Sequence, residues 1–154
     1  MDEMLRNGYE QYEISNFCKG NSYSKHNSSY WKKDHYLGLG PSAHSYFGNS
    51  RLWNVSNNLK YIKALSASQL PLVKENLNTQ DMYNEYVMTS LRTKWGCSLI
   101  EIEKEYPKSY LNYFKTHIKS YEMNGDIIEN KGIYTLSNKG KLIADLIISD
   151  LFVI

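Results

Sequence analysis

The chain has 154 residues, with 18 Lys and Arg against 16 Asp and Glu, for a formal net charge of +2 and a pI near 8.4. A hydrophobic share of 42% excludes a largely disordered chain, and the length allows one domain or two small ones. A charge so near balance neither marks nor excludes a basic face for nucleic acid.

Cys18 and Cys97 fit no metal-ligand spacing and build no disulfide framework, so the reducing cytoplasm is the expected compartment. No apolar signal region opens the chain, and the run from Leu142 to Ile154 is broken by Asp145 and Asp150 and too short to cross a bilayer. The 14 tyrosines fit half-buried amphipathic surfaces better than an aromatic binding code.

In chain order, residues 1–8 read as the tail of a helix closed at Asn7-Gly8. Tyr9 to Phe17 reads as one strand and Cys18 to Ser24 as a loop. Ser24 caps a short helix through Trp31, on which His26 and Tyr30 share a face and Trp31 turns inward. His35 to Leu39 reads as a strand stopped by Gly38-Leu39-Gly40-Pro41. Tyr46-Phe47 and Leu52-Trp53 flank a Gly48-Asn49 hairpin turn. Ser56 or Asn57 caps a helix with Leu59, Ile62 and Leu65 on its apolar side. Residues 67–77 lose periodicity and contain Pro71, which marks a linker between residues 1–66 and residues 78–154.

The second part is more regular. Thr79 caps a helix that runs to Trp95 before Gly96, with Tyr83, Tyr86, Val87 and Leu91 on one stripe. Ser98 starts a short helix, and a longer one carries Leu111, Phe114 and Ile118. Ile127-Ile128 and Tyr134-Leu136 flank the hairpin turn Asn130-Lys131-Gly132. Ser137 then caps a last helix with Leu142, Ile143, Leu146 and Ile147 inward. Three helices, a two-stranded wing and a helix give a winged-helix-like order, so the fold class is α+β.

The densest stretch for chemistry is His26 to Gly48, which holds three of the four histidines. His26 can offer an imidazole to heme iron beside Tyr30, although a helix-start histidine with a hydrogen bond is the commoner case. His44 follows Gly40-Pro41, where free backbone amides could approach an anion or cofactor. The lone Gly38-Leu39-Gly40 lacks the third glycine of a dinucleotide site. His35 and His117 carry no assigned role, and Glu101, Glu103 and Glu105 form a solvated face. No Ser/His/Asp order, Walker loop or zinc spacing is present, so the residues alone name no reaction. A nucleic-acid reading would rest on the helix bearing Lys108, Lys115 and Lys119, yet helix and wing contain no arginine for bidentate base contacts.

Three stretches carry a resemblance: Tyr12-Glu13-Ile14-Ser15-Asn16-Phe17; His26-Asn27-x-x-Tyr30-Trp31; and Tyr36-Leu37-Gly38-Leu39-Gly40-Pro41-Ser42-Ala43-His44-Ser45. With Leu91-Arg92-Thr93-Lys94-Trp95-Gly96 they make the sequence similar to the oxygen-independent coproporphyrinogen III oxidase-like family of radical-SAM proteins, closest to its heme chaperone branch. The resemblance implies the C-terminal part of a longer protein. Residues 1–66 would be the last strands and helices of a partial (β/α) radical-SAM barrel, and residues 78–154 the winged-helix-like C-terminal domain.

It further implies heme binding and transfer, with His26 as iron ligand and Asn27, Tyr30 and Trp31 around it. Gly38, Gly40, Ser42 and His44 would lie in a cofactor-proximal loop at the barrel mouth. The family's CxxxCxxC loop, which holds a [4Fe–4S] cluster and cleaves S-adenosylmethionine, has no match here, so those cofactors and any catalysis belong to the full-length parent. Implied partners are the N-terminal barrel region, heme or porphyrin and a heme-receiving apoprotein. Self-association through exposed barrel edges is a further expectation. The alternative within the family is a genuine coproporphyrinogen III oxidase.

Overall fold

Polar side chains open the helices where the sequence places them. In the computed structural model, which describes residues 1–154, Ser24, Asn57 and Ser98 each accept a backbone N–H from three residues onward. That satisfies one of the orphan donors of a helix start.

The chain forms two compact units, residues 1–32 with 79–154, and residues 33–78. The first opens with α1 (Asp2–Arg6) and an antiparallel hairpin, β1 (Tyr9–Glu13) and β2 (Asn16–Lys19), followed by α2 (Lys25–Trp31). The second holds β3 (His44–Phe47), β4 (Ser50–Asn54), α3 (Asn58–Ser66) and β5 (Leu72–Asn76), with an antiparallel sheet in the order β3-β4-β5. The chain then returns to the first unit. There it builds α4 (Thr79–Leu91), β6 (Cys97–Ser98), α5 (Leu99–Glu105), α6 (Lys108–Met123), β7 (Ile127–Asn130), β8 (Ile133–Leu136), a 3-10 turn at Gly140–Ile143 and α7 (Ala144–Asp150).

The core lies in the first unit. Tyr83, Val87 and Leu91 from α4 meet Ile102, Phe114 and Ile118, closed by Ile147 and Leu151 from the C-terminus. Two core tyrosines keep their hydroxyls bonded: Tyr83 donates to the Leu151 carbonyl, and Tyr86 accepts from the Ser98 N–H at 2.9 Å. Burial pushes both phenols far above their usual range.

The structure corrects several expectations. Tyr9 to Phe17 is a hairpin and not one strand, because the chain turns at Ile14-Ser15. The Ile14 N–H leaves the ladder for the Arg92 carbonyl, and the Glu13 carboxylate takes the Ser15 N–H. His35 to Leu39 is no strand: Tyr36 alone pairs with Tyr46 before the Gly38 N–H turns to Ser45 Oγ. Residues 67–77 are no linker. Leu72–Asn76 run the full length of β4 in antiparallel register, so the compact units divide the chain elsewhere than at Pro71.

α4 ends at Leu91, and Arg92 to Trp95 instead run beside β1, with the Lys94 N–H bonded to the Tyr12 carbonyl. Cys97-Ser98 add a third strand to the β7-β8 hairpin, in the order β6-β8-β7. Near the C-terminus Leu142, Leu146 and Ile143 are 81%, 56% and 39% exposed, whereas Ile147 is buried as expected, joined by Ala144, Ile148 and Leu151. The 3-10 turn advances about three residues per turn, which shifts the helical phase assumed from a single α-helix.

Candidate functional site

His26, Asn27, Tyr30 and Trp31 all sit on α2 in the first unit. The helix spacing puts His26 one turn below Tyr30. Their rings meet edge to face with centroids 5.0 Å apart, and Tyr30 Oη lies 3.2 Å from His26 Nε2. His26 is exposed and Tyr30 is 41% exposed, so this face of α2 is open to solvent.

The other pair of the motif is anchored. The Trp31 indole N–H donates to Asn27 Oδ1 at 3.2 Å, and the Asn27 amide donates to Tyr12 Oη at 3.3 Å. Trp31 is half-buried, and the Arg92 guanidinium carbon stands 5.5 Å from its ring centre. Arg92 reaches Glu13, whose side chain is 2% exposed, at 3.5 Å, and Asp145 at 3.2 Å. Tyr12, Tyr23 and Trp95 form an aromatic cluster with centroids 5.3 to 6.4 Å apart. Lys94 caps it, bonded to Glu10 at 2.6 Å and to Tyr23 Oη at 2.5 Å. These bonds hold Glu10 below the usual carboxylate range and Lys94 above the usual amine range.

Tyr12 to Phe17, His26 to Trp31 and Leu91 to Gly96 are far apart in sequence, and the fold brings them into one constellation. His26 and Tyr30 form its open edge. Asn27, Trp31, Arg92 and Glu13 form its fixed base. Sequence reading did not single out Arg92, Glu13 or Lys94. The signal for them is membership of the stretches Tyr12 to Phe17 and Leu91 to Gly96.

Gly38, Gly40, Ser42 and His44 belong to the second unit. The backbone amides of Gly38, Gly40, Ser42 and Ala43 are not free, contrary to expectation. Gly38 N–H donates to Ser45 Oγ, Gly40 N–H to Tyr61 Oη, Ser42 N–H to the Val55 carbonyl and Ala43 N–H to the Gly40 carbonyl. Asn54 ties the Gly38 and Gly40 carbonyls at 3.2 and 2.9 Å. His44 begins β3 with its exposed ring 6.3 Å from that of Trp53. His35 has a structural role after all, since its Nε2 accepts the Gly48 N–H at the hairpin turn. His117 is half-buried and stacks on Tyr113 at 3.8 Å. Cys18 and Cys97 are both buried and free, and no cluster of three or more His, Cys, Asp or Glu side chains has metal-binding geometry.

The fold has the architecture of a HemN-like protein. Coproporphyrinogen III oxidase HemN from Escherichia coli, a radical SAM enzyme, superposes with a TM-score of 0.74 at 16% identity, over 98% of this chain and 38% of that one. The heme chaperone HemW of Bacillus subtilis is 32% identical over 146 residues, covering 94% of this chain and 38% of that protein. HemW of Mycobacterium tuberculosis is 30% identical over 148 residues, 94% of this chain and 35% of that protein. No protein-family model matches. The chain is similar in sequence to the HemW heme chaperones and in fold to HemN, and it spans little more than a third of the length of these relatives. No helix is long and apolar enough to cross a membrane.

Proposed function

We propose that this chain is the heme-contacting part of a heme chaperone-type radical-SAM protein, and that His26 is its iron ligand. One observation carries the reading. His26 stands on an open helix face against Tyr30, while Asn27 and Trp31 of the same motif are fixed to the body by the bonds to Tyr12 and Arg92. An imidazole presented on a rigid element can bind heme iron with little ordering cost. Tyr30 offers an edge for the porphyrin and a hydroxyl within hydrogen-bond distance of His26 Nε2.

Heme supplies the metal centre and two propionates, and the chain supplies position. The names of the relatives and the HemN-like fold support this assignment. In this reading the radical-SAM barrel region is the intramolecular partner that brings the [4Fe–4S] cluster and S-adenosylmethionine. A heme-receiving apoprotein takes the cargo. The winged-helix-like arrangement of α4, α5, α6 and the β6-β8-β7 sheet serves as structural cover and not as a nucleic-acid reader. The compartment is cytoplasmic.

Titration of the chain with hemin tests the reading. A Soret shift is expected in the wild type, and His26→Ala is expected to lose both the shift and most of the affinity. An unchanged spectrum and affinity in His26→Ala would end the ligand assignment.

A further inference from the structure

A cavity of about 190 Å³ opens between β1, the segment after α4 and β8, with Gln11, Glu13, Arg92, Thr93, Thr135 and Lys141 on its walls. Pockets that enclose whole cofactors run to roughly 300–1,000 Å³. This one suits a small group or a side arm.

Its charged walls are Arg92, Lys94 and Lys141 against the single carboxylate of Glu13. Most of these charges are already matched. Glu13 takes the Ser15 N–H at 2.9 Å, the Asn16 amide at 2.5 Å and Arg92 at 3.5 Å. Arg92 also meets Asp145, and Lys94 meets Glu10. Lys141 differs. Its Nζ donates to Gln11 Oε1 at 3.1 Å, a neutral amide, and it forms no ion pair. Gln11 is itself buried and held by its own amide, which donates to the Ile14 carbonyl at 2.6 Å. The lysine head is therefore aimed by a fixed acceptor, with two of its three donors left over.

A half-buried ammonium without a counter-charge is unfavourable, and burial pushes the Lys141 amine down. Arg92 on the same wall adds a second cation beside it. The two remaining Lys141 donors on the cavity wall suit an anion of small size.

We infer that this cavity is a carboxylate-binding site in which Lys141 provides the charge and Gln11 positions it. The carboxylate has two possible sources, a porphyrin propionate or a free small acid. The propionate source rests on the heme reading above, and it follows from Arg92, which lines the cavity and also stacks on Trp31 of the α2 motif.

The test compares hemin with hemin dimethyl ester, whose propionates are uncharged, and separately follows backbone amide NMR signals of Gln11, Thr93 and Thr135 during titration with succinate. Hemin is expected to bind about tenfold more tightly than its diester, the scale of one charge-assisted hydrogen bond. Lys141→Gln is expected to erase that ratio, and Lys141→Arg to keep it. If hemin and diester bind alike but succinate shifts the three amides saturably in the wild type and not in Lys141→Gln, the site serves a free acid. No preference for hemin together with no saturable succinate shift overturns the inference, and the wild-type arms decide this even if Lys141→Gln fails to fold. No Soret shift in the wild type would sink the heme reading while leaving the succinate arm standing.

Discussion

Arg92 holds its guanidinium 5.5 Å from the centre of the Trp31 ring while reaching the buried carboxylate of Glu13 at 3.5 Å. This one side chain joins the β1-β2 hairpin, the α2 motif and the segment that follows α4. A planar guanidinium can do all of this at once, offering a face to the indole and separate N–H groups to Glu13 and Asp145. The open His26–Tyr30 face is only as well positioned as this base.

Arg92→Ala should therefore cost about 3 kcal/mol, because it leaves the Glu13 carboxylate buried without its cation. Arg92→Lys should cost about 1 kcal/mol, since one ammonium restores the charge but not the stacking or the fork. Urea unfolding followed by tryptophan fluorescence measures both. Equal midpoints for wild type and Arg92→Ala would show that the pair contributes nothing.

Gly38 has a steric need to be glycine. A Cβ placed there would come within 2.1 Å of the His44 carbonyl oxygen, and the backbone of β3 cannot give way without losing the Tyr36–Tyr46 bridge. Gly38→Ala should destabilise by about 2 kcal/mol or more, in the class of overpacking next to fixed backbone. Amide exchange at Tyr46 should accelerate with it. Full protection at Tyr46 in the variant would contradict the steric account.

The Glu10–Lys94 pair predicts a pH dependence with a definite sign. Glu10 is depressed by its bond to Lys94, so its contribution is present above the ordinary carboxyl value of 4.5 and is lost as pH falls through its folded value. Lys94 is raised by Glu10 and Tyr23, so its contribution is complete below the ordinary 10.5 and is lost as pH rises through its folded value. Both side chains are partly exposed, at 45% and 30%, which limits the pair to less than about 1 kcal/mol. Lys94→Met should lower the urea midpoint at pH 7 and leave a smaller difference at pH 3. A difference that does not shrink in acid would rule the pair out as its cause.

Local signals were legible where one residue decides the geometry. Ser24 and Ser98 cap as their side chains suggest, and Gly48-Asn49 and Lys131-Gly132 turn hairpins with positive φ at Gly48, Lys131 and Gly132. What the sequence did not show depends on partners distant along the chain. Leu72–Asn76 become a strand only because β4 offers a ladder, and Arg92 to Trp95 leave the helix only because β1 takes their backbone bonds. The α2 motif was found through family resemblance. Its base was not, because the Glu13–Arg92 and Gln11–Lys141 contacts cross long stretches of sequence that no periodicity connects. The loop at Gly38 to Ser45 misled because free amides were assumed where Asn54, Tyr61 and Ser45 occupy them.

The second unit carries an apolar surface that predicts association. Leu59 and Ile62 on α3 are 80% and 60% exposed, and every residue of β5 is exposed although β5 is the edge of its sheet. An exposed edge strand presents unpaired backbone groups to another chain, and an apolar helix face nearby in sequence adds a hydrophobic gain. Leu72 and Val73 are the apolar residues of that edge, Val73 beside Lys74 and 51% exposed, and a further Lys on an edge is a common block to strand pairing. Multi-angle light scattering at rising concentration should show dimers or larger species, and Val73→Lys combined with Leu59→Glu should return the protein to monomer without lowering its urea midpoint. A wild type that stays strictly monomeric at high concentration would remove the case for association through this surface.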